Sequence, residues 1–144
     1  MTYDDCGWHS DTTSELGLDS EAGATHIGMF YAWAVAHDLH SPTALVWGEP
    51  EPRPRPELAA LRERAKTPGR YLLDHCCGEL NEGHLNARGQ AFAAAVYRQY
   101  LRAYDRVPEV ARYETTYHVP DTWEIYDAVT PLLDEAWAEW QHLG

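Results

Sequence analysis

The chain has 144 residues, 44% of them hydrophobic and 12% aromatic, which is enough for one packed core. Lys and Arg number 11 against 23 Asp and Glu, a formal net charge of −12 with neutral histidines. That balance excludes the basic footprint of a nucleic-acid binder and the polybasic patch of a membrane-surface protein. No apolar run approaches the ~20 residues of a transmembrane helix. Met1-Thr2-Tyr3-Asp4-Asp5 lacks the basic and apolar regions of a signal peptide. The expectation is a soluble, cytoplasmic domain spanning residues 1–144.

Residues 1–18 carry few apolar side chains, which predicts an arm lying on the domain and pinned by Trp8. A helix is predicted from Ser20 to Leu39, with Ser20 as cap and Glu21 at its positive end. Ala24, Ile27, Tyr31, Ala34 and Val35 repeat at helical spacing, with Phe30 flanking them. Gly23 and Gly28 weaken this helix but permit close approach of a neighbour. Ser41-Pro42 ends it. Gly48 to Pro56 places four prolines at alternate positions, a stiff surface connection that is neither helix nor central strand.

A short helix is predicted from Pro56 to Lys66, broken by Thr67-Pro68-Gly69, and another from Arg70 to Cys77 with Gly78 as its stop. Gly78 to Asn86 reads as a polar connection. The clearest helix runs from Asn86 to Tyr104, where Ala93, Val96, Tyr97, Tyr100, Leu101 and Tyr104 keep one face. Such a stripe is core, and its hydroxyls need partners at the core's edge. The last helix is predicted from Asp121 to His142, with Asp121 and Glu124 as a capping box. Its stripe continues across Pro131, which predicts a kink or two abutting helices. Thr43–Trp47 and Thr115–Val119 are the weak strand candidates. The fold class expected is mainly α, a single-domain bundle of about five helices with a proline-rich surface connection.

Three cysteines, two of them adjacent, make a poor disulfide framework and read as reduced thiols. Cys6, His9, His75, Cys76 and Cys77 offer zinc-type ligands, but no Cys-x2-Cys knuckle is present and adjacent cysteines are awkward on one ion. His26 and His37 stand three helical turns apart and cannot share an ion. No HExxH, Walker loop, GxSxG or GxGxxG occurs, so no metal, cofactor or catalytic residue is assigned. His26, on an apolar face, and His118, ahead of the last helix, read first as hydrogen-bonded scaffold. Their functional reading is a pocket with Trp8, His9, Asp121 and Trp123. Carboxylates gather at 4–21, 49–51 and 121–139, and an acidic face with aromatic anchors attracts a basic partner.

Five segments share a pattern. They are Tyr3-Asp4-Asp5-x-x-Trp8-His9, Thr25-His26-Ile27-Gly28-Met29-Phe30-x-Ala32-Trp33, Thr67-Pro68-Gly69, Leu85-Asn86-x-x-Gly89-x-Ala91-Phe92 and Tyr117-His118-Val119-x-Asp121-Thr122-Trp123-x-x-Tyr126-Asp127. Together they resemble an uncharacterised bacterial family of small domains of unknown function, over most of the chain except the proline connection. That pattern carries one cysteine followed by Asp-Gly-Lys, so Cys76-Cys77-Gly78-Glu79 departs from it, and Cys6 and Cys77 look private to this chain. The resemblance brings no activity. It implies similarity in kind to immunity proteins of bacterial toxin systems.

The expected function is therefore an acidic binding protein that neutralises a basic toxin domain by occluding it, with no nucleic acid or membrane partner. The candidate binding residues are Asp4, Asp5, Trp8, His9, His26, His118, Asp121 and Trp123, with Trp47 as a further aromatic anchor. The alternative is a small enzyme or ligand-binding protein using the His/Trp/Asp pocket.

Overall fold

The computed structural model describes residues 1–44 and 48–143. The fold is mainly α. Strand β1 (Thr2–Asp5) leads into a 3-10 turn (Cys6–His9) and helix α1 (Ser10–Glu15). A second 3-10 turn (Ser20–Ala24) runs into α2 (Thr25–Ala36). Then come β2 (Thr43–Ala44), β3 (Arg53–Pro54), α3 (Leu58–Arg62), α4 (Pro68–His75) and β4 (Glu79–Asn81). The chain ends with α5 (Ala87–Tyr104), α6 (Pro108–Ala111), a 3-10 turn at Thr116–His118 and α7 (Trp123–Leu143). Among the described residues, no helix is long and apolar enough to cross a membrane.

Helix α2 is the axle of the core. Every residue from Thr25 to Val35 is buried, so it has no solvent face, where the sequence pattern showed one. It packs on α4, α3 and α7. A Cβ on Gly28 would collide with the Pro68 carbonyl, so this glycine sets the close approach of α2 to the start of α4. The cap of the preceding 3-10 turn is Asp19, which accepts from Glu21 N–H, rather than Ser20. The α-helix ends earlier than Leu39. Asp38 takes a left-handed conformation (φ 56°) and Leu39 N–H bonds back to Ala34 C=O, the geometry of a Schellman stop.

Other expectations are corrected in detail. The N-terminal arm is not pinned by Trp8, which is 63% exposed. It is held as a strand: β1 pairs antiparallel with β4, joining Thr2 to Asn81 and Asp5 to Glu79. The segment read as a polar connection therefore contains a strand. The proline connection lends Arg53–Pro54 to a two-residue pairing with Thr43–Ala44. Residues 45–47, with Trp47, lie outside the described residues, and Thr115–Val119 is a 3-10 turn rather than a strand.

Asn86 caps α5 as expected, accepting from Gly89 N–H at 2.8 Å. The stripe it begins is buried at Ala93, Val96, Tyr97, Tyr100 and Tyr104, while Leu101 is exposed. Asp121 does not cap α7. That cap is Thr122, whose hydroxyl accepts from Ile125 N–H at 3.2 Å. Pro131 lies inside one continuous helix. Its missing N–H frees the Asp127 carbonyl one turn back, and the Thr130 hydroxyl donates to that carbonyl at 3.0 Å.

Gly28→Ala should lower stability by about 3 kcal/mol, since neither the α2 nor the α4 backbone can yield without repacking the core. Urea unfolding followed by circular dichroism measures this, and an unchanged midpoint would show that the two helices are free to separate.

Candidate functional site

A buried carboxylate organises the site. Asp4 is only 2% exposed. It sits on β1, two residues before the turn carrying Trp8 and His9, and it faces α2 and α5. Its Oδ1 accepts from Asp5 N–H at 2.9 Å and from His9 Nε2 at 2.7 Å. Its Oδ2 accepts from His26 Nε2 at 3.0 Å and from the Tyr97 hydroxyl at 2.8 Å. An ionised carboxylate only accepts, so both imidazoles present Nε2–H to it. His9 Nδ1 then accepts from the Tyr117 hydroxyl at 2.6 Å. The result is a continuous chain from Tyr117 through His9 to Asp4, with His26 and Tyr97 holding the other carboxylate oxygen. The two histidine rings meet edge to face, 4.8 Å apart.

The helices fix these groups from below. Tyr100 donates to the His26 carbonyl at 2.6 Å, which ties α5 to the first turn of α2. Burial by itself raises the Asp4 carboxyl, but the hydrogen bonds donated by His26, His9 and Tyr97 outweigh it. They hold the group well below the usual carboxylate range. Burial pushes His26 down, against the pull of Asp4, so this ring is neutral at neutral pH. Burial and the Asp4 charge push the Tyr97 hydroxyl far up and raise Tyr117.

Asp4 and His9 form one wall of a cleft of about 750 Å³ between β1 and α5. Trp8 and Leu101 stand exposed at its edge, and Arg98 and Arg102 line the α5 side. Arg53, Arg55, Arg62, Arg64 and Arg70 each meet a carboxylate. Among the described residues, Arg98 and Arg102 meet none; nor do Arg88, Arg106 and Arg112, of which Arg88 stacks on Trp137 and Arg112 on Tyr113, and none of these three lines the cleft.

The structure gathers Asp4, His9 and His26 and places Trp8 at the same cleft. The other candidates are engaged elsewhere. Asp5 accepts from Gly7 N–H and caps the 3-10 turn. His118 meets the Thr115 hydroxyl at 2.8 Å and Glu114 at 3.7 Å, and it is the adjacent Tyr117 that reaches the histidines. Asp121 accepts from Gly69 N–H, Arg70 N–H and the Thr67 hydroxyl, so it caps α4 from a distant segment. Trp123 donates to the Lys66 carbonyl at 3.1 Å and lies under the Arg64 guanidinium. The mixed cysteine and histidine set does not assemble: Cys6 donates to the Ser20 carbonyl and His75 meets Lys66. Sequence reasoning missed Tyr97, Arg98, Arg102 and Tyr117. For Tyr97 a signal existed, because a buried hydroxyl on the α5 stripe needs a partner, and that partner is Asp4.

A family model described as a domain of unknown function, DUF7832, matches residues 2–119. The chain belongs to this family. The match takes in Asp4, His9, His26, Tyr97 and Tyr117 and leaves all of α7 outside. No curated protein and no solved structure matches the chain.

The network makes stability sensitive to acid. His26 is depressed in the fold, so its contribution is complete above its unfolded value of ~6.5 and fades as the pH falls below it. Asp4 adds a second loss as the pH falls below the unfolded carboxyl value of ~3.9. Urea midpoints should fall steadily from pH 7 to pH 3. Asp4→Asn should cost about 3 kcal/mol at pH 7 and flatten the most acidic part of the curve. A flat wild-type profile would mean that the network is not formed in solution.

Proposed function

We propose that the protein binds a small anionic ligand in the cleft between β1 and α5. The observation that carries this reading is the pairing, across one cleft, of an Asp4–His9–Tyr117 hydrogen-bond chain with two arginines that lack carboxylate partners among the described residues. The cleft volume lies within the range of small-molecule sites. Arg98 and Arg102 are one helical turn apart on α5, a spacing that lets both guanidinium groups meet a carboxylate or phosphate. Trp8 offers a ring face for the rest of the ligand. His9 is partly exposed and backed by a buried carboxylate, and its remaining lone pair on Nδ1 meets the Tyr117 hydroxyl, so a base here would act through that hydroxyl. The support for chemistry beyond binding is this dyad alone.

A second reading has its own observation. The 3-10 turn bearing Trp8 packs on the one at Ser20–Ala24, and exposed Asp11, Glu15 and Asp19 belong to this same N-terminal layer. Among the described residues these three form no ion pair. An exposed tryptophan among carboxylates without ion-pair partners suits a basic protein partner, as an immunity protein meets its toxin. On this reading Trp8 anchors centrally and the carboxylates meet the toxin's Arg and Lys.

The two readings separate by mutation. For the first, ligand-detected NMR with a panel of carboxylates and phosphates should give a binder that Arg98→Glu/Arg102→Glu weakens at least tenfold. No binder in the panel, or one indifferent to those arginines, would remove this reading. For the second, a basic bacterial toxin domain that the protein neutralises should bind with an on-rate that falls as salt rises. Asp11→Lys/Glu15→Lys should slow that association about tenfold, and Trp8→Ala should weaken it further. Kinetics untouched by both variants would exclude this face as the docking surface.

A further inference from the structure

We infer that Asp4, His9 and His26 form a binding site for a single divalent transition-metal ion, open to the cleft. One donor atom from each residue lies within 4.8 Å of the other two. The geometry is close to a coordination polyhedron. Metal–ligand bonds of ~2.1 Å at right angles put neighbouring donor atoms ~3 Å apart. The Asp4 oxygens stand 2.7 Å from His9 Nε2 and 3.0 Å from His26 Nε2. The two Nε2–H groups converge on the two oxygens of one carboxylate, and with all three donor atoms within 4.8 Å a small closure of the rings brings them to the ~4.2 Å or less that one ion spans. The carboxylate meets each ring with a different oxygen, so it can hold the ion with both or turn slightly to use one.

The donor set selects the metal class. Two neutral imidazoles and one carboxylate suit zinc, iron(II), cobalt(II) or nickel(II), whereas calcium and magnesium prefer oxygen throughout. The supporting groups are in place as well. Tyr117 sits on His9 Nδ1, and Tyr97 and Asp5 N–H hold the carboxylate. Metal binding replaces each Nε2 proton. A neutral ring keeps its proton by moving it to Nδ1, and for His9 the Tyr117 oxygen then changes from donor to acceptor. Three protein ligands leave positions free, and His9 and Asp4, as wall residues, direct them into the cleft.

Isothermal titration of the whole chain with zinc or cobalt(II) alone tests the site. One equivalent should bind with micromolar or tighter affinity, and cobalt(II) should acquire visible absorption. His9→Gln, at a partly exposed position, should keep the fold and lose at least tenfold in affinity along with the cobalt spectrum. Tyr117→Phe should weaken binding by about tenfold, because it removes only the outer partner of His9. Cys77→Ser and His142→Gln, on the exposed surface, should leave the titration unchanged. Absence of saturable binding at about 100 µM metal, or one equivalent retained in His9→Gln, would overturn the site. The titration uses the ion alone, so its failure leaves the arginine test of the small-ligand reading untouched.

Discussion

A charge that cannot reach water dictates much of this structure. The Asp4 carboxylate is buried near the N-terminus, and removing an ion from water costs several kcal/mol. It persists because four donors converge on it from β1, the following turn, α2 and α5. Hydrogen bonds to a charged group contribute about 1.5–3 kcal/mol each, so gains and desolvation largely offset one another. The consequence of the network is positional. It fixes where the first strand lies relative to two helices that are themselves far apart in sequence.

That positioning has a second anchor. β1 is short and gains little from its own strand propensity, yet it closes against β4 some 75 residues later. Pairing brings the Cys6–His9 turn over α2, and Cys6 N–H bonds to the Gly78 carbonyl to continue the contact. Gly78 itself is left-handed at φ 72°, which lets the chain leave α4 and enter β4 directly. The stop signal of α4 and the placement of His9 are therefore parts of one arrangement. The fold places its densest polar cluster where strand, turn and helix ends meet, the kind of junction where backbone can approach a ligand.

The readability of the sequence follows the range of the interactions. α5 was legible because its apolar spacing and its Asn86 cap are local; the stop of α4 was legible only roughly, since the helix ends at His75 and Cys77, not Gly78, is the first left-handed residue (φ 55°). α7 was legible in extent, and of the two outcomes expected at Pro131 the abutting helices give way to one continuous helix, whose freed carbonyl the Thr130 hydroxyl meets. β1 and β4 were not legible, since three or four residues are too few to show alternation and the partner is distant. Asp121 has the position of a cap for its own helix, yet its carboxylate serves the start of α4. Asp4, His9 and His26 were singled out by residue type, but their meeting was not foreseeable. Tyr117 was hidden by its neighbour His118, which has the more reactive side chain and points to Thr115 instead.

The electrostatics of the surface and of the cleft oppose each other. The net charge of −12 creates a negative field that repels an approaching anion over roughly a Debye length, about 10 Å at moderate salt. Arg98 and Arg102 reverse that sign locally, and their range is set by contact rather than by net charge. On the proposed small-ligand reading an anion would be slowed on approach and held on arrival, whereas on the proposed protein-partner reading a basic partner would be drawn to the acidic N-terminal layer. Added salt screens the repulsive field at long range and the arginine contacts less, because a ligand in the cleft excludes water from them. The same salt weakens the attraction of a basic partner from the outset. The sign of the salt effect on association thus reports which side of Trp8 the molecule uses, since the ring stands at the boundary between the two fields.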